Sequence, residues 1–293
     1  MQPVQRLLLL VLLCGIALAS DNRFSPLDPA IVSTRLKTAP RESEGRLAMI
    51  RSNFQSAGCK PEQMTEQAVP GQALPNILCT LPGKGPGTIV IAARLDYKSK
   101  GDELVVDSAT LNLLPLLAQS FNSVGHNYTL VFVAFTGHNH NVGSTYFLSQ
   151  LNENQKRSIR GMVFLDHLGR TPVHYLFPSQ SADVASGTII YAKSLVQREN
   201  TLRQQLSQVA RSVNLGDSDE LSEFYFTDAL NFERAGVMAL TLASPAYSII
   251  VRDFGQVEVK MARTELDSRV YYDTYSLLCY YLQSLDSTLP HAK

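Results

Sequence analysis

Three apolar stretches constrain the fold of this chain more than any other feature of its sequence. They are GTIVIAARLD (87–96), YTLVFVAFTG (128–137) and IRGMVFLDHLG (159–169). Strands that are apolar on both faces belong in a sheet covered on both sides, and the intervening segments are long enough for helical crossovers. We therefore predict an α/β fold with a mostly parallel central sheet and helices on both faces.

The remaining segments complete this pattern. DSATLNLLPLLAQSF (107–121) predicts an apolar helix opened by Asp107 or Ser108 as N-cap, and Pro115 predicts a kink or a displaced start. Further elements are predicted as helices at 41–57, from 143, at 199–213 and at 268–285, a hairpin of 60–67 with 75–82, and strands in GTIIYAKS (187–194) and GVMALTLAS (236–244).

Polar residues follow the three apolar strands where each one ends. They are Arg94 and Asp96, then His138-Asn139-His140, then Asp166-His167. Because the carboxyl ends of parallel strands meet at one edge of a sheet, these residues mark the candidate site. Carboxylates and imidazoles together are typical metal ligands, so the candidate ligands are Asp96, Asp107, His138, His140, Asp166 and His167.

Each candidate ligand also has a purely structural interpretation. Asp107 could only cap its helix, Asp166 could only pair with Arg94, and His138 and His140 could be solvated loop residues. The motifs alone leave these alternatives open.

Composition limits the classes of partner. The 293-residue chain has a formal net charge of zero and is 45% hydrophobic. Such a balance, without a run of Lys or Arg, argues against nucleic-acid binding and suits one globular domain.

The first nineteen residues predict export. Arg6 precedes an apolar run from Leu7, and a small-x-small ending predicts cleavage of a signal peptide after Ala19. An uncleaved anchor is the alternative. We divide the chain into a signal peptide (1–19), an N-terminal extension (20–39) and a single α/β domain (40–289), secreted or extracytoplasmic and without a membrane span after cleavage.

Three cysteines follow the predicted cleavage point. Cys59 and Cys79 would form a disulfide in an oxidising compartment, or would otherwise be two buried thiols, and Cys279 lies in an apolar run that predicts a core position. Asn127 begins a glycosylation sequon at the start of a predicted strand.

The order of these motifs resembles the zinc-aminopeptidase family that includes bacterial leucyl aminopeptidases, glutaminyl cyclases, glutamate carboxypeptidase and the non-catalytic nicastrin. In that family a strand ends in His-x-Asp, which aligns with Arg94-Leu95-Asp96, and a bridging Asp corresponds to Asp107. A Glu-Glu pair before Gly-Ser corresponds to His138-Asn139 before Gly143-Ser144, a later Asp ligand to Asp166, and a Ser-Asp-His-x-x-Phe segment to residues 227–232.

The departures from the family pattern fall on its chemistry. Zinc hydrolases need His and carboxylate ligands and a general base, yet Arg94 replaces the first His and cannot ligate a metal. His138 stands at the general-base position, Asn139 replaces a ligand Glu, and the late His ligand has no counterpart. By this resemblance only Asp107 and Asp166 remain of the five ligands, as remnant positions that we expect to be free of metal.

We therefore expect a pseudo-peptidase without a cofactor. Its binding residues would be Arg94, Asp96, Asn139 and His140, and its partners peptide or protein N-termini. We expect Asp96 to hold the Arg94 guanidinium, and that guanidinium to lie within about 4 Å of Asp107 or Asp166. The alternative is an active metallo-exopeptidase or glutaminyl cyclase-like enzyme with an altered zinc site.

Overall fold

The computed structural model describes residues 23–36, 38–97, 100–137, 141–176, 193–215, 227–244, 247–252, 256–261 and 266–289. Within them the helices are α1 (Pro29–Leu36), α2 (Ser43–Ser56), α3 (Asp102–Asn122), α4 (Val142–Ser149), α5 (Glu153–Ser158), α6 (Lys193–Ser212), α7 (Ala229–Arg234) and α8 (Ser268–Thr288). The strands are β1 (Met64–Gln67), β2 (Asn76–Leu81), β3 (Thr88–Arg94), β4 (Thr129–Phe135), β5 (Ile159–Asp166), β6 (His174–Leu176), β7 (Ala239–Ala243), β8 (Tyr247–Arg252) and β9 (Gln256–Met261).

The central sheet has seven strands in the order β1-β2-β4-β3-β5-β7-β6. Strands β4, β3, β5 and β7 are parallel, whereas β1, β2 and β6 join antiparallel at the two sides. Strands β8 and β9 form a separate antiparallel pair. The predicted mostly parallel α/β sheet and the predicted β1–β2 hairpin are confirmed.

Strand β3 is where the connections of the sheet reverse direction. The chain passes from β3 through α3 to β4 on one side, and then through α4 and α5 to β5 on the other side of β3. Such a reversal opens a crevice outside the carboxyl ends of the strands, where ligands bind in α/β sheets. The last residues of β3 and β5, Arg94 and Asp166, therefore lie next to that crevice.

Apolar side chains cover both faces of the sheet, which explains why its central strands are apolar throughout. On one face α3 and α8 contribute fully buried residues such as Leu117 and Leu282. On the other face Phe135 of β4 packs against Phe147 of α4 and Phe232 of α7, with ring centroids 5.7 and 6.2 Å away. The predicted helices on both faces are confirmed.

Helix α3 begins five residues earlier than its sequence pattern predicts. It starts at Asp102 after Gly101, so Asp107 lies in its second turn, and the prediction of Asp107 or Ser108 as N-cap is wrong. The residues before Asp107 extend the same buried face, with Val106 completely buried, so packing continues the helix upstream. Pro115 lies inside the continuous helix. The stretch Glu103–Asn122 is long and apolar enough to span a membrane, but 89% of its most apolar window is buried in the protein.

The segment assigned to an extension packs into the same core as the domain. Val32 of α1 is completely buried, and the Phe24 ring meets that of Tyr280 edge-on at 5.0 Å. The signal-peptide prediction (1–19) and residues 187–192 of the strand predicted at 187–194 lie outside the described residues. The last two residues of that prediction, Lys193 and Ser194, begin α6 instead, so the strand prediction is wrong there.

The fold shows how the three cysteines and the sequon residue Asn127 are bonded. Cys59 and Cys79 form a disulfide with Cα atoms 6.1 Å apart, which settles the choice between bridge and buried thiols, and Cys279 is a buried free thiol as predicted. The side-chain amide of Asn127 donates to the Asp286 carbonyl at 2.8 Å, so the sequon nitrogen is engaged in the fold.

Candidate functional site

Charged side chains from four elements meet at the carboxyl edge of the parallel strands. We call this group the charged edge, and its members are Arg94, Glu103, Asp107, Asp166, His167, Arg170 and Asp228. Topology explains the meeting, since β3 and β5 are neighbours and α3 begins just after β3.

Arg94 is a mostly buried cation between two acids. Its side chain is 12% exposed, with Nη1 4.0 Å from Oδ1 of Asp166 and Nε 3.9 Å from Oδ2 of Asp228. The guanidinium also lies over the Phe164 ring, 5.7 Å from its centroid. The predicted approach of Arg94 to Asp166 is thus observed, and a buried guanidinium here balances two carboxylates.

Asp228, like Glu103 and Arg170, is a member of the charged edge that the sequence analysis did not assign to the site. It lies in the TDALNF segment, immediately before α7, and is 2% exposed. Burial raises its pKa to about 6, although the Arg94 guanidinium and a hydrogen bond from Ser144 lower it and Asp166 and Asp96 add repulsion. The position of this Asp in the family-like segment was the signal that could have indicated it.

His167 lies between the two remnant ligand positions. Its Nδ1 is 3.1 Å from Oδ1 of Asp166, and its Nε2 is 3.2 Å from Oδ1 of Asp107. Burial lowers the pKa of His167, but Asp166, Asp107 and Glu103 together outweigh it and raise the pKa to about 9. The imidazole is therefore a cation at neutral pH, shared by α3 and β5.

An unusual backbone conformation directs the His167 ring towards α3. Its φ is 47°, in the left-handed region that non-glycine residues rarely adopt. The next amide, of Leu168, donates to the Thr110 hydroxyl at 2.7 Å, which fixes this turn against α3. Left-handed geometry at a non-glycine residue costs about 1–2 kcal/mol, so contacts around the turn must compensate for it.

Glu103 and Arg170 extend the charged edge to the surface. Nη1 of Arg170 donates to Oε1 of Glu103 at 2.8 Å, and Oε2 of Glu103 lies 3.9 Å from Nε2 of His167. The Arg170 side chain is 1% exposed, whereas that of Glu103 is 44% exposed. Glu103 is therefore an acid of this group that solvent reaches.

The contacts described for Asp96 differ from our expectation. Its Oδ2 accepts the Gly137 N–H at 2.7 Å and the Thr136 hydroxyl at 3.4 Å, while the Arg94 guanidinium faces Asp166 and Asp228. Asp96 thus ties the end of β3 to the loop after β4. The loop after β4 is about 40 residues from Asp96 in sequence, so the motif Arg94-Leu95-Asp96 does not reveal this contact.

The predicted residues His138, Asn139 and His140 lie outside the described residues. The structure resumes at Asn141, whose side-chain amide donates to the Thr227 carbonyl at 2.9 Å. Asn231 of α7 in turn donates to the Asn141 carbonyl at 3.0 Å and to the Ser144 hydroxyl at 2.8 Å. The start of α4 is therefore joined to α7 beside the charged edge.

The described donor set does not fit zinc. Zinc takes lone pairs from His, Cys, Asp or Glu, but Arg94 has none to offer, and both nitrogens of His167 already face carboxylates. Over the part of the chain that the structure describes, no group of three such side chains could hold a metal ion.

Comparison with known proteins identifies the class. A profile of peptidase family M28 matches residues 76–271, more than half of the chain. The chain belongs to this peptidase family, which confirms the resemblance drawn from its motifs. No curated protein sequence matches it.

Solved structures with the same fold include zinc aminopeptidases and glutaminyl cyclases. Glutaminyl cyclase of Macrostomum lignano aligns with a TM-score of 0.63 at 12% identity, over 90% of this chain and 91% of that one. Glutaminyl cyclase of an Acidobacteriales bacterium gives 0.62 at 14%, over 90% and 97%. The Bacillus subtilis zinc aminopeptidase gives 0.53 at 14%, over 71% of this chain and 49% of that one, so our chain spans about half its length. These similarities establish the fold. The family and its zinc-dependent neighbours suggest zinc, but the described side chains of the charged edge do not fit this metal.

Proposed function

We propose that this chain is an exported, non-catalytic member of peptidase family M28 that uses its charged edge to bind peptide or protein N-termini. The observation that carries the proposal is Arg94. It stands where the resemblance places the first ligand His, and it is held between Asp166 and Asp228 at 4.0 and 3.9 Å. A guanidinium in that position is a permanent cation and cannot become a metal ligand.

Without a metal ligand at position 94, the whole hydrolysis reaction of this peptidase family is affected. The hydrolase chemistry requires a metal to activate water and a general base to deprotonate it. Here Asp107 and Asp166 contact a cationic side chain, and His138 at the general-base position stays a prediction. We infer that peptide-bond hydrolysis has been lost while the fold has been kept.

The charge balance of the charged edge favours a cationic ligand. Four carboxylates, Glu103, Asp107, Asp166 and Asp228, face three cations, Arg94, His167 and Arg170. The excess negative charge reaches solvent at Glu103, which is 44% exposed. A protonated peptide N-terminus would offer Glu103 a charge-assisted hydrogen bond. The predicted binding residues Arg94, Asp96, Asn139 and His140 would line the same edge.

Two features support export. The first nineteen residues have the charge and hydropathy pattern of a signal peptide. The Cys59–Cys79 disulfide is of the kind that persists in oxidising compartments. Fractionation of the source cells with an antibody against the chain would test this part of the proposal, and a cytosolic location would contradict it.

The binding proposal can be tested with one pair of peptides. Isothermal titration of the purified chain with a short peptide bearing a free N-terminus should give saturable binding, and its N-acetylated twin should bind at least tenfold more weakly. Glu103→Gln, which keeps an oxygen acceptor for Arg170, should reduce this preference. Equal binding of the two peptides would refute recognition of the terminal amine.

A second candidate function is an active exopeptidase or glutaminyl cyclase-like enzyme with a rebuilt metal site. It is favoured by the end-to-end correspondence with two glutaminyl cyclase structures, over 90% of this chain and more than nine tenths of theirs. Assays with aminoacyl-nitroanilides and N-terminal glutaminyl peptides, with and without added zinc, would decide. Turnover that depends on zinc and disappears in Asp107→Asn would establish this second function instead.

A further inference from the structure

Two carboxylates that the family resemblance marks as metal ligands share one imidazole in this chain. We propose that the His167 ring occupies the space between Asp107 and Asp166 and excludes divalent metal ions from that pair. This inference rests on the proposed function, because both concern the charged edge, but it names His167 rather than Arg94 as the group that blocks the site.

The first step is the position of the ring between the two acids. Both ring nitrogens of His167 lie within hydrogen-bond distance of a carboxylate oxygen, at 3.1 Å for Asp166 and 3.2 Å for Asp107. One oxygen of each acid is therefore already engaged by the ring.

The second step is that the backbone is built to hold the ring there. His167 adopts a left-handed φ of 47°, and the following amide is bound by the Thr110 hydroxyl of α3. Gly169 continues the turn at φ 103°, where an added Cβ would come within 2.9 Å of the Tyr271 ring. A side chain that merely rested near the acids would not need a turn fixed at three successive residues.

The third step is competition for the same oxygen atoms. A zinc ion would bind carboxylate oxygens at about 2.0–2.2 Å. Oδ1 of Asp107 and Oδ1 of Asp166 both contact the imidazole, so an ion bridging them must displace the ring. Arg94, with Nη1 4.0 Å from the same Asp166 oxygen, adds a permanent positive charge that repels a metal ion. Removal of His167 should therefore open an acidic site in which Glu103 also participates, and Arg94→His should then add a ligand.

The test is titration of zinc chloride into the purified, chelator-treated full-length chain at pH 7, followed by calorimetry. Wild type should show no tight one-to-one site, His167→Ala should bind zinc at least tenfold more tightly than wild type, and Arg94→His/His167→Ala should bind more tightly still. Asp107→Asn in the His167→Ala background should abolish the gain. His174→Ala is the matched control, because this His lies in β6, two strands away from β5, and should behave as wild type.

Two further variants keep the test decisive if His167→Ala does not fold. His167→Gly relieves the left-handed backbone, and His167→Gln keeps a neutral hydrogen-bonding side chain, so each should fold and gain zinc affinity. Wild type binding zinc as tightly as the His167 variants, or folded variants without any gain, would overturn the inference. Peptidase activity of wild type would contradict the proposed function, whereas only the difference in zinc affinity between variants tests the role of His167.

Discussion

The guanidinium of Arg46 lies over the ring of Tyr97, 4.4 Å from its centroid, and donates from Nη2 to the Tyr97 carbonyl at 3.0 Å. Its Nε also donates to the Leu95 carbonyl at 3.1 Å. Arg46 is 3% exposed, so α2 holds the segment that follows β3 from inside the protein. The end of β3, where Arg94 and Asp96 lie, is thus fixed by a cation distant in sequence.

Replacement of Arg46 by Met should destabilise the fold strongly. It removes several charge-assisted hydrogen bonds and leaves buried carbonyls without a donor, so we expect a loss of about 3–5 kcal/mol in the free energy of unfolding. Urea unfolding followed by circular dichroism measures this. Arg51→Ala is the control, because Arg51 pairs with Glu66 at an exposed site and should cost less than about 1 kcal/mol. Equal losses in the two variants would contradict the assignment.

Loss of Arg94 should be costly and partly repairable. Arg94→Met leaves Asp166 and Asp228 without this buried guanidinium, and we expect a loss of about 3 kcal/mol. The double change Arg94→Met/Asp228→Asn removes one of the two buried carboxylate charges that lose Arg94 and should recover part of the loss in a double-mutant cycle. Additive losses in the cycle would show that Arg94 and Asp228 do not interact.

The pKa of Asp228 predicts a pH dependence of stability. Because its folded-state pKa, about 6, is above the ordinary value of 3.8, the folded state binds the proton more tightly than the unfolded state. This group therefore favours folding at low pH, and its contribution falls as pH rises from about 4 to about 6. The difference in unfolding free energy between wild type and Asp228→Asn, measured across pH 4 to 7, should change over that window. A constant difference would contradict the raised pKa.

The Cys59–Cys79 bridge should stabilise the fold measurably. It closes a loop with a sequence separation of 20, for which the chain-entropy estimate is about 3 kcal/mol. The double variant Cys59→Ala/Cys79→Ala should lose roughly that amount in urea unfolding. Cys279→Ala is the control, because it removes a buried sulfur without removing a cross-link. If reduction of the disulfide leaves the free energy of unfolding of the wild-type chain unchanged, the bridge does not stabilise the fold.

The sheet could be predicted from the sequence because the apolar pattern that identifies each strand is local. Runs such as Ile89–Ala93 are apolar on both faces, and that pattern alone identifies a central strand covered on both sides. The start of α3 was predicted too late, because the polar Asp107 resembles an N-cap and the tertiary packing of Val106 is invisible in the sequence.

The charged edge was predictable only in part. Arg94 and Asp166 were placed together correctly, because both end neighbouring parallel strands. Asp228 comes from a segment more than 130 residues from Arg94, and the orientation of His167 depends on a left-handed turn, so neither contact follows from spacing. Whether His138, Asn139 and His140 approach these residues stays a prediction.

At the end of β5 the left-handed backbone of His167 and the contacts of its side chain with Asp107 and Asp166 depend on each other. A residue other than glycine keeps such a conformation only while its surroundings compensate for the strain. If Asp107 or Asp166 lost its contact with the imidazole, the backbone of residue 167 would be free to return to the ordinary right-handed region. The change of φ and ψ at residue 167 would redirect the Leu168 amide away from Thr110. A single substitution on α3 would thus change the path of the main chain beyond β5.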